Sequence, residues 1–282
     1  MAKTAHQQSV VEYYESNHNW LRRTGRRSET GAMHREVWGP EVTNRREALN
    51  YINQLIAEDI VAYLSWSPDE TNVLDVGCGI GGTCVYFAKH SGMHTTGITL
   101  SHQQLADANR LAAENNISER CDFHRCDFLT FSRNEHYEVA TAIESFVHMQ
   151  SAKLFFEKLT DYLVAGGLLI ICDDLRTSEP GSNLAADKWL RRFRDGWHLG
   201  QLPTVHTVTD IAGEYGFDLL ENRDLTPYLQ SDSLIWQLLD GLAYLIPVQH
   251  PFLDSRRGNV AHRITLSREW VQYRYLVFRR SV

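Results

Sequence analysis

Val73-Leu74-Asp75-Val76-Gly77-Cys78-Gly79-Ile80-Gly81-Gly82-Thr83 is the stretch on which the fold is decided. Val73 to Val76 is a short apolar run of the kind that forms a buried strand. The four glycines at 77, 79, 81 and 82 then strip the turn of side chains. A ligand can approach such a backbone closely, with the N–H groups of the following helix pointing at it. As a bare pattern, Gly77-x-Gly79-x-x-Gly82 also satisfies the dinucleotide fingerprint, so an NAD-dependent oxidoreductase stays open on the glycines alone. Asp75 separates the two readings. A carboxylate two residues before the first glycine repels a pyrophosphate and suits a ligand whose nearest groups are an ammonium and a cationic sulfonium. S-adenosylmethionine carries both.

From about Asn72 onward, short apolar runs alternate with amphipathic segments, the signature of an α/β fold with a mostly parallel sheet. The spacing predicts strands at Val73–Val76, Thr95–Ile98, Asp122–Arg125, Val139–Ile143 and Leu168–Cys172, and helices at Gly82–Lys89, His102–Asn115 and Ala152–Leu163. Ser101 followed by Gln104 is a capping-box pair, and Gly166-Gly167 reads as the glycine cap that closes the third helix. Further on, helices are expected near Ala185–Arg194, Val208–Tyr215 and Leu234–Tyr244, with an antiparallel strand pair at Phe217–Thr226 and Val271–Arg279. Pro247–His262, with two prolines and a glycine, reads as a long loop. The expected organisation is an N-terminal helical lid over residues 1–70, a Rossmann-like core over 71–175, and a cap with the final sheet strands over 176–282.

The 282 residues are 43% hydrophobic and 22% charged, as in a soluble globular chain with one large core. No apolar run is long enough to span a bilayer, and the first residues lack the apolar stretch of a secretory signal, so the chain reads as cytoplasmic with no membrane partner. A net charge of −7 argues against nucleic acid as a partner. Arg22, Arg23, Arg26 and Arg27 are the local exception: either a solvated segment or a site for an anionic group such as a diphosphate. Cys78, Cys84, Cys121, Cys126 and Cys172 are scattered like reduced core thiols. No metal site is expected, because Cys121 and Cys126 have no nearby set to complete one.

The strand ends supply the remaining cofactor candidates beside Gly77, Gly79 and Gly81. Gly97-Ile98-Thr99-Leu100-Ser101 carries no acid for the ribose hydroxyls. Thr99, Leu100, Ser101 and Gln104 stand there instead, as neutral partners or as helix-capping residues. After the third strand, Asp127 can accept from the adenine amine while Phe128 packs on the ring; Asp127 as a plain turn residue is the other reading.

The set LDVGCGIGG, GITLSHQQ, CDF and Gly166-Gly167 resembles the class I methyltransferase family. GITLS in place of an acid is similar to the branch holding tocopherol-type, cyclopropane-synthase-like and prenyl C-methyltransferases; Tyr13-Tyr14, His34 and Trp38 resemble that branch's lid pattern. Glu144-Ser145, Asp224-Leu225-Thr226-Pro227 and Val271-Gln272-Tyr273 look like geranyl diphosphate and teleocidin-type C-methyltransferases. The resemblance implies S-adenosylmethionine as donor, with S-adenosylhomocysteine as product, magnesium only if the substrate is a diphosphate, and a homo-oligomer.

Ligands of such sheets lie outside the carboxyl ends of the strands. Glu144, at the end of the fourth strand, is expected to contact the cofactor or hold the lid, act as base, or steer a developing cation. His148, four positions on, is a candidate base for O- or N-methylation, or a loop histidine; Tyr14 completes the catalytic candidates. Tyr14, Trp20, Trp38, Phe146, Trp197, His198 and Trp236 are the candidates for lining an apolar substrate pocket, each with core packing as its alternative. The reading favoured is C-methylation of a prenyl or terpenoid alkene through a carbocation, with or without cyclisation. O- or N-methylation of a small molecule and a non-catalytic cofactor-binding module are the rivals.

Overall fold

The computed structural model describes residues 30–64, 67, 70–230, 234–243 and 250–281. Seven strands form one sheet: β1 Asn72–Val76, β2 His94–Thr99, β3 Cys121–Arg125, β4 Tyr137–Ile143, β5 Leu163–Arg176, β6 Phe217–Asp224 and β7 Val271–Arg280. Their spatial order is β3-β2-β1-β4-β5-β7-β6. Strands β1 to β5 run parallel to one another, whereas β7 is antiparallel to both β5 and β6. Strand order reverses at β1, between β2 and β4, which places a crevice at the carboxyl ends of those strands.

Period-two alternation explains why helices cover both faces. Leu74, Val76, Leu169, Ile171, Leu276 and Phe278 point into one core, while Val73, Leu168, Ile170, Tyr273, Tyr275 and Val277 point into the other. The helices are α1 Arg45–Tyr63, α2 Gly82–Ser91, α3 His102–Glu114, α4 Ala152–Leu159, α5 Leu184–Gly196, α6 Val205–Glu214, α7 Leu234–Leu242 and α8 Pro251–Ser267. Phe155 and Phe156 of α4 pack on the first face, and Ile52, Ile56 and Ile60 of α1 on the second. The seven-stranded sheet with flanking helices is the expected Rossmann-like α/β architecture. Among the described residues no helix is long and apolar enough to cross a membrane.

Two local expectations are corrected. Helix α4 stops at Leu159, capped by Thr160, and Gly166-Gly167 lies inside β5. Pairing jumps from Tyr137↔Leu163 to Val139↔Leu168, so β5 bulges there, and Gly166 takes φ 78° to allow it. The segment read as a loop contains α8. Pro251 stands in the first turn, where no N–H is required, and His250 accepts from Phe252 N–H as its cap. Gly258 is there for packing: a Cβ on it would come within 2.9 Å of the Gly196 backbone of α5.

Candidate active site

The segment 30–35 crosses the glycine turn like a strap. A Cβ on Gly82 would stand 2.4 Å from the Gly31 carbonyl, and one on Gly79 would stand 3.0 Å from Met33 Sδ. Beneath it, Gly77 (φ 86°), Gly79 (φ 55°) and Gly81 (φ 82°) all occupy the left-handed region. A Cβ on Gly77 would strike Ser145 Cβ at 2.4 Å, so the turn after β1 and the end of β4 touch backbone to side chain. Gly81 does not face the crevice: its N–H donates to the Cys78 carbonyl, and Phe123 and Ala108 press on it.

One cavity runs along these strand ends. Met33, His34, Gly77, Gly79, Thr99, Leu100, Ser101 and Gln104 wall one part of it; Cys126, Asp127, Phe128, Leu129, Ile143, Glu144, Ser145, His148, Met149 and Gln150 wall the rest. The sequence candidates Gly77, Gly79, Thr99, Leu100, Gln104, Asp127, Phe128, Glu144 and His148 are thus brought together. Ser101 caps α3 by accepting from Gln104 N–H, but the Gln104 carboxamide does not return to close a capping box. It accepts instead from the Thr99 hydroxyl at 2.7 Å and donates to Met33 Sδ at 3.6 Å. Asp127 accepts from Leu129 N–H at 2.8 Å, as its turn reading expects, and it also lines the cavity.

Asp75 is a correction. Its carboxylate is buried below the turn, where it accepts from Thr141 Oγ1 at 2.9 Å and from Cys84 Sγ at 3.6 Å, and it does not line the cavity. Burial raises its pKa from the ordinary 3.8 to about 6, with the two hydrogen bonds opposing the rise. The carboxylate thus ties β1 to β4 and to the helix after the turn.

Glu144 is held in an unusual way. It has φ 50°, and its Oε1 accepts from Arg35 N–H at 2.9 Å, Arg35 Nε at 3.1 Å and the Tyr273 hydroxyl at 2.9 Å. The Arg35 guanidinium also clasps Asp174 through two bonds of 3.1 and 2.7 Å and stacks 4.0 Å from the Tyr273 ring centre. His262 Nε2 lies 3.1 Å from Asp174. Burial alone would raise the Asp174 carboxyl; the charges of Arg35 and His262 outweigh it and hold the group below the ordinary range. Neighbouring Asp173, buried beside Asp174, is pushed well above that range.

The sequence named Tyr273 only in a resemblance and did not single out Arg35, Asp174 or His262. Two of the resembling stretches do converge: Thr226 Oγ1 accepts from Tyr273 N–H at 2.8 Å, and Asp224 accepts from Thr226 N–H at 2.9 Å.

The aromatic candidates fare differently. Phe146 is fully buried among Phe155 and Phe156, because the backbone after Ser145 turns that side chain into the core. Trp197 packs on Phe193 and His262 between α5 and α8, donating to Asn259 at 2.9 Å. His198, with φ 53°, ends α5 beyond it, and Trp38 donates its backbone N–H to Tyr228 O; none of the four lines this cavity. Tyr13, Tyr14, Trp20, Arg22, Arg23, Arg26 and Arg27 and the side chain of Trp236 lie outside the described residues.

The residues present fit S-adenosylmethionine. Gly77 and Gly79 leave room at the turn, Thr99 and Gln104 offer neutral partners, and the Asp127-Phe128 pair offers an acceptor beside an apolar ring. Comparisons agree. The chain is 26% identical over 190 residues to a sterol 24-C-methyltransferase of Gibberella zeae, covering 67% of this chain and 50% of that protein. It is 28% identical over 200 residues to the O-methyltransferase resE of Aspergillus sclerotiorum, covering 69% and 72%. The chain spans about half the length of the sterol methyltransferase. The geranyl diphosphate C-methyltransferase of Streptomyces coelicolor, crystallised with magnesium, geranyl diphosphate and S-adenosylhomocysteine, superposes with a TM-score of 0.68 at 16% identity, over 99% of this chain and 100% of that one. Residues 55–237 match the family model for mycolic acid cyclopropane synthetase. The dinucleotide oxidoreductase left open by the glycine pattern is set aside, for the chain belongs to the mycolic acid cyclopropane synthetase family and with it to the class I S-adenosylmethionine-dependent methyltransferases.

Proposed function

We propose that the protein transfers the methyl group of S-adenosylmethionine to an alkene carbon of a small, largely apolar natural product of prenyl or terpenoid type. When bound, the cofactor supplies an electrophilic methyl on a sulfonium. Gly77 and Gly79 would admit its amino-acid end, Thr99 and Gln104 its ribose, and Asp127 with Phe128 its adenine. The observation that carries the reading is Glu144: a carboxylate on the cavity wall whose three donors all fall on Oε1, so that among the described residues Oε2 accepts none. Such an oxygen can stabilise positive charge that develops on an acceptor carbon without being spent on the protein. Around it Ile143, Met149, Leu129 and Phe128 give apolar surface. Phe128 adds an aromatic face to this wall.

O- or N-methylation is the second reading, favoured by His148 on the same cavity wall and by the relative named for O-methyl transfer. Product mass and carbon connectivity after incubation with methyl-labelled cofactor decide between them, with geranyl diphosphate, geraniol, a side-chain-unsaturated sterol, and phenolic and amine acceptors as the panel. A new carbon–methyl bond supports the proposal; methyl on oxygen or nitrogen alone overturns it. In the first case Glu144→Gln is expected to cut turnover by about 10²–10³ while S-adenosylhomocysteine affinity stays within about twofold.

A further inference from the structure

Resting on the reading above, one group on the cavity wall has its chemistry unspent. His34 follows Met33 in the strap, is 9% exposed and lines the cavity with Glu144. Its Nδ1 stands 3.2 Å from the Arg35 carbonyl oxygen. A carbonyl oxygen only accepts, so Nδ1 carries the hydrogen and the neutral ring keeps its lone pair on Nε2. Among the described residues Nε2 has no hydrogen-bond partner although it is buried. A buried ring nitrogen without a donor is costly unless a ligand supplies one.

Its neighbours explain why it stays neutral. Burial lowers its proton affinity first; the Glu144 carboxylate and the Arg35 carbonyl raise it, and the Arg35 guanidinium lowers it again. His148 is the other titratable ring that faces this cavity. Glu144 already accepts from Arg35 N–H, Arg35 Nε and the Tyr273 hydroxyl on its Oε1.

We propose that His34 Nε2 is the proton acceptor of the reaction. The alkene π pair forms the new carbon–carbon bond as the sulfur–methyl bond breaks with its pair left on sulfur. The carbocation then loses a hydrogen from the adjacent carbon: the C–H pair becomes the new double bond and the proton passes to Nε2. The imidazolium so formed is stabilised by Glu144 and is discharged to water when product leaves.

Two measurements on the full chain with S-adenosylhomocysteine test this. Two-bond nitrogen–proton correlation of the histidine rings, with His34 identified by the signal lost in His34→Gln, is expected to show the neutral ring protonated on Nδ1 at pH 7. A ring protonated on Nε2, or an imidazolium, overturns the proposal without any substrate. On the panel above, His34→Gln is expected to lower kcat by about 100-fold at unchanged KM and unchanged S-adenosylhomocysteine affinity, or to divert the methylated product to a water-captured alcohol. The same alkene at the wild-type rate overturns it. Should the wild type methylate only oxygen or nitrogen, the alkene reading falls while His34 is still judged, because the same variant must then slow removal of the O–H or N–H proton. Should no panel compound react, the tautomer alone decides.

Discussion

Gly82 offers a perturbation whose sign the structure decides. It opens helix α2 with ordinary helical geometry, so on backbone grounds alanine there should be neutral or stabilising, by up to ~1 kcal/mol. The strap reverses this. An alanine Cβ would lie 2.4 Å from the carbonyl carbon and oxygen of Gly31 and 2.6 Å from Ala32 N, all of them backbone atoms. Ordinary contact requires the strap to retreat by roughly 1 Å, a gap that forfeits a quarter to a half of the local dispersion energy. Overpacking of this kind costs about 1–3 kcal/mol, which exceeds the helical gain. The segment displaced carries Met33 and His34, two walls of the cavity, and Arg35, the partner of Glu144. Gly82→Ala is therefore expected to lower Tm and to weaken S-adenosylhomocysteine binding by tenfold or more, about 1.4 kcal/mol, in calorimetric titration. Gly213→Ala is the control: a Cβ there meets nothing within 4 Å, so it should stabilise α6 and leave binding alone. A Gly82→Ala protein that is more stable than wild type and binds the ligand as tightly would refute the strap.

Three further outcomes are expected. Arg35→Met leaves Glu144 without its cation and buried Asp174 with His262 alone, and should cost about 3–5 kcal/mol in urea unfolding; adding Asp174→Asn should recover part of that loss, and a cost below ~1 kcal/mol would show the network to be incidental. Phe146→Ala removes a fully buried ring and should cost about 3–5 kcal/mol with ligand affinity unchanged, whereas a selective loss of affinity would return Phe146 to the pocket. Asp75 binds its proton more tightly folded than unfolded, so its contribution to stability is best below pH 3.8 and is lost as pH rises to about 6. The penalty above that point is about 3 kcal/mol. Asp75→Asn, which keeps an acceptor for Thr141, should raise the Tm of the ligand-free protein at pH 7.5 and lose that advantage near pH 4; a pH-independent difference would contradict the assignment.

The sheet was legible because its signal is local and repeated. β1 and β4 are short apolar runs, and the five strands expected from Val73 to Cys172 all fall inside the observed ones. The errors have one character: a residue type was read by its commonest job. Gly166 suggested a helix cap but serves a bulge, Pro251 suggested a loop but opens a helix, and Asp75 suggested a ligand but ties β1 to β4. For Gly166 and Asp75 a contact distant in sequence overrode the local preference, whereas Pro251 follows the rule that proline suits a helix's first turn. The site divides in the same way. Residues on consecutive strand ends, such as Thr99, Asp127 and Glu144, were readable from spacing. Arg35 was not, because its partners Glu144 and Asp174 are 109 and 139 residues away and nothing beside Arg35 in the chain marks it.

That distance bears on what Glu144 is for. A non-glycine residue at φ 50° is strained by about 1–3 kcal/mol and persists only where its surroundings over-determine it. Here they do, with donors from the strap and from β7 converging on one carboxylate oxygen. A single such bond would let the carboxylate swing about its side-chain torsions. Three bonds on Oε1 instead fix the direction in which the carboxylate faces the cavity, and Arg35, itself anchored on Asp174, keeps that direction from following a ligand. Preorganisation of this sort is useful where charge appears during a reaction, since a rigid carboxylate need not reorient to meet it. The strain at Glu144, the double anchoring of half-buried Arg35 and the close fit of Gly31 on Gly82 are therefore parts of one arrangement, in which the segment before α1 finishes a site begun by the sheet.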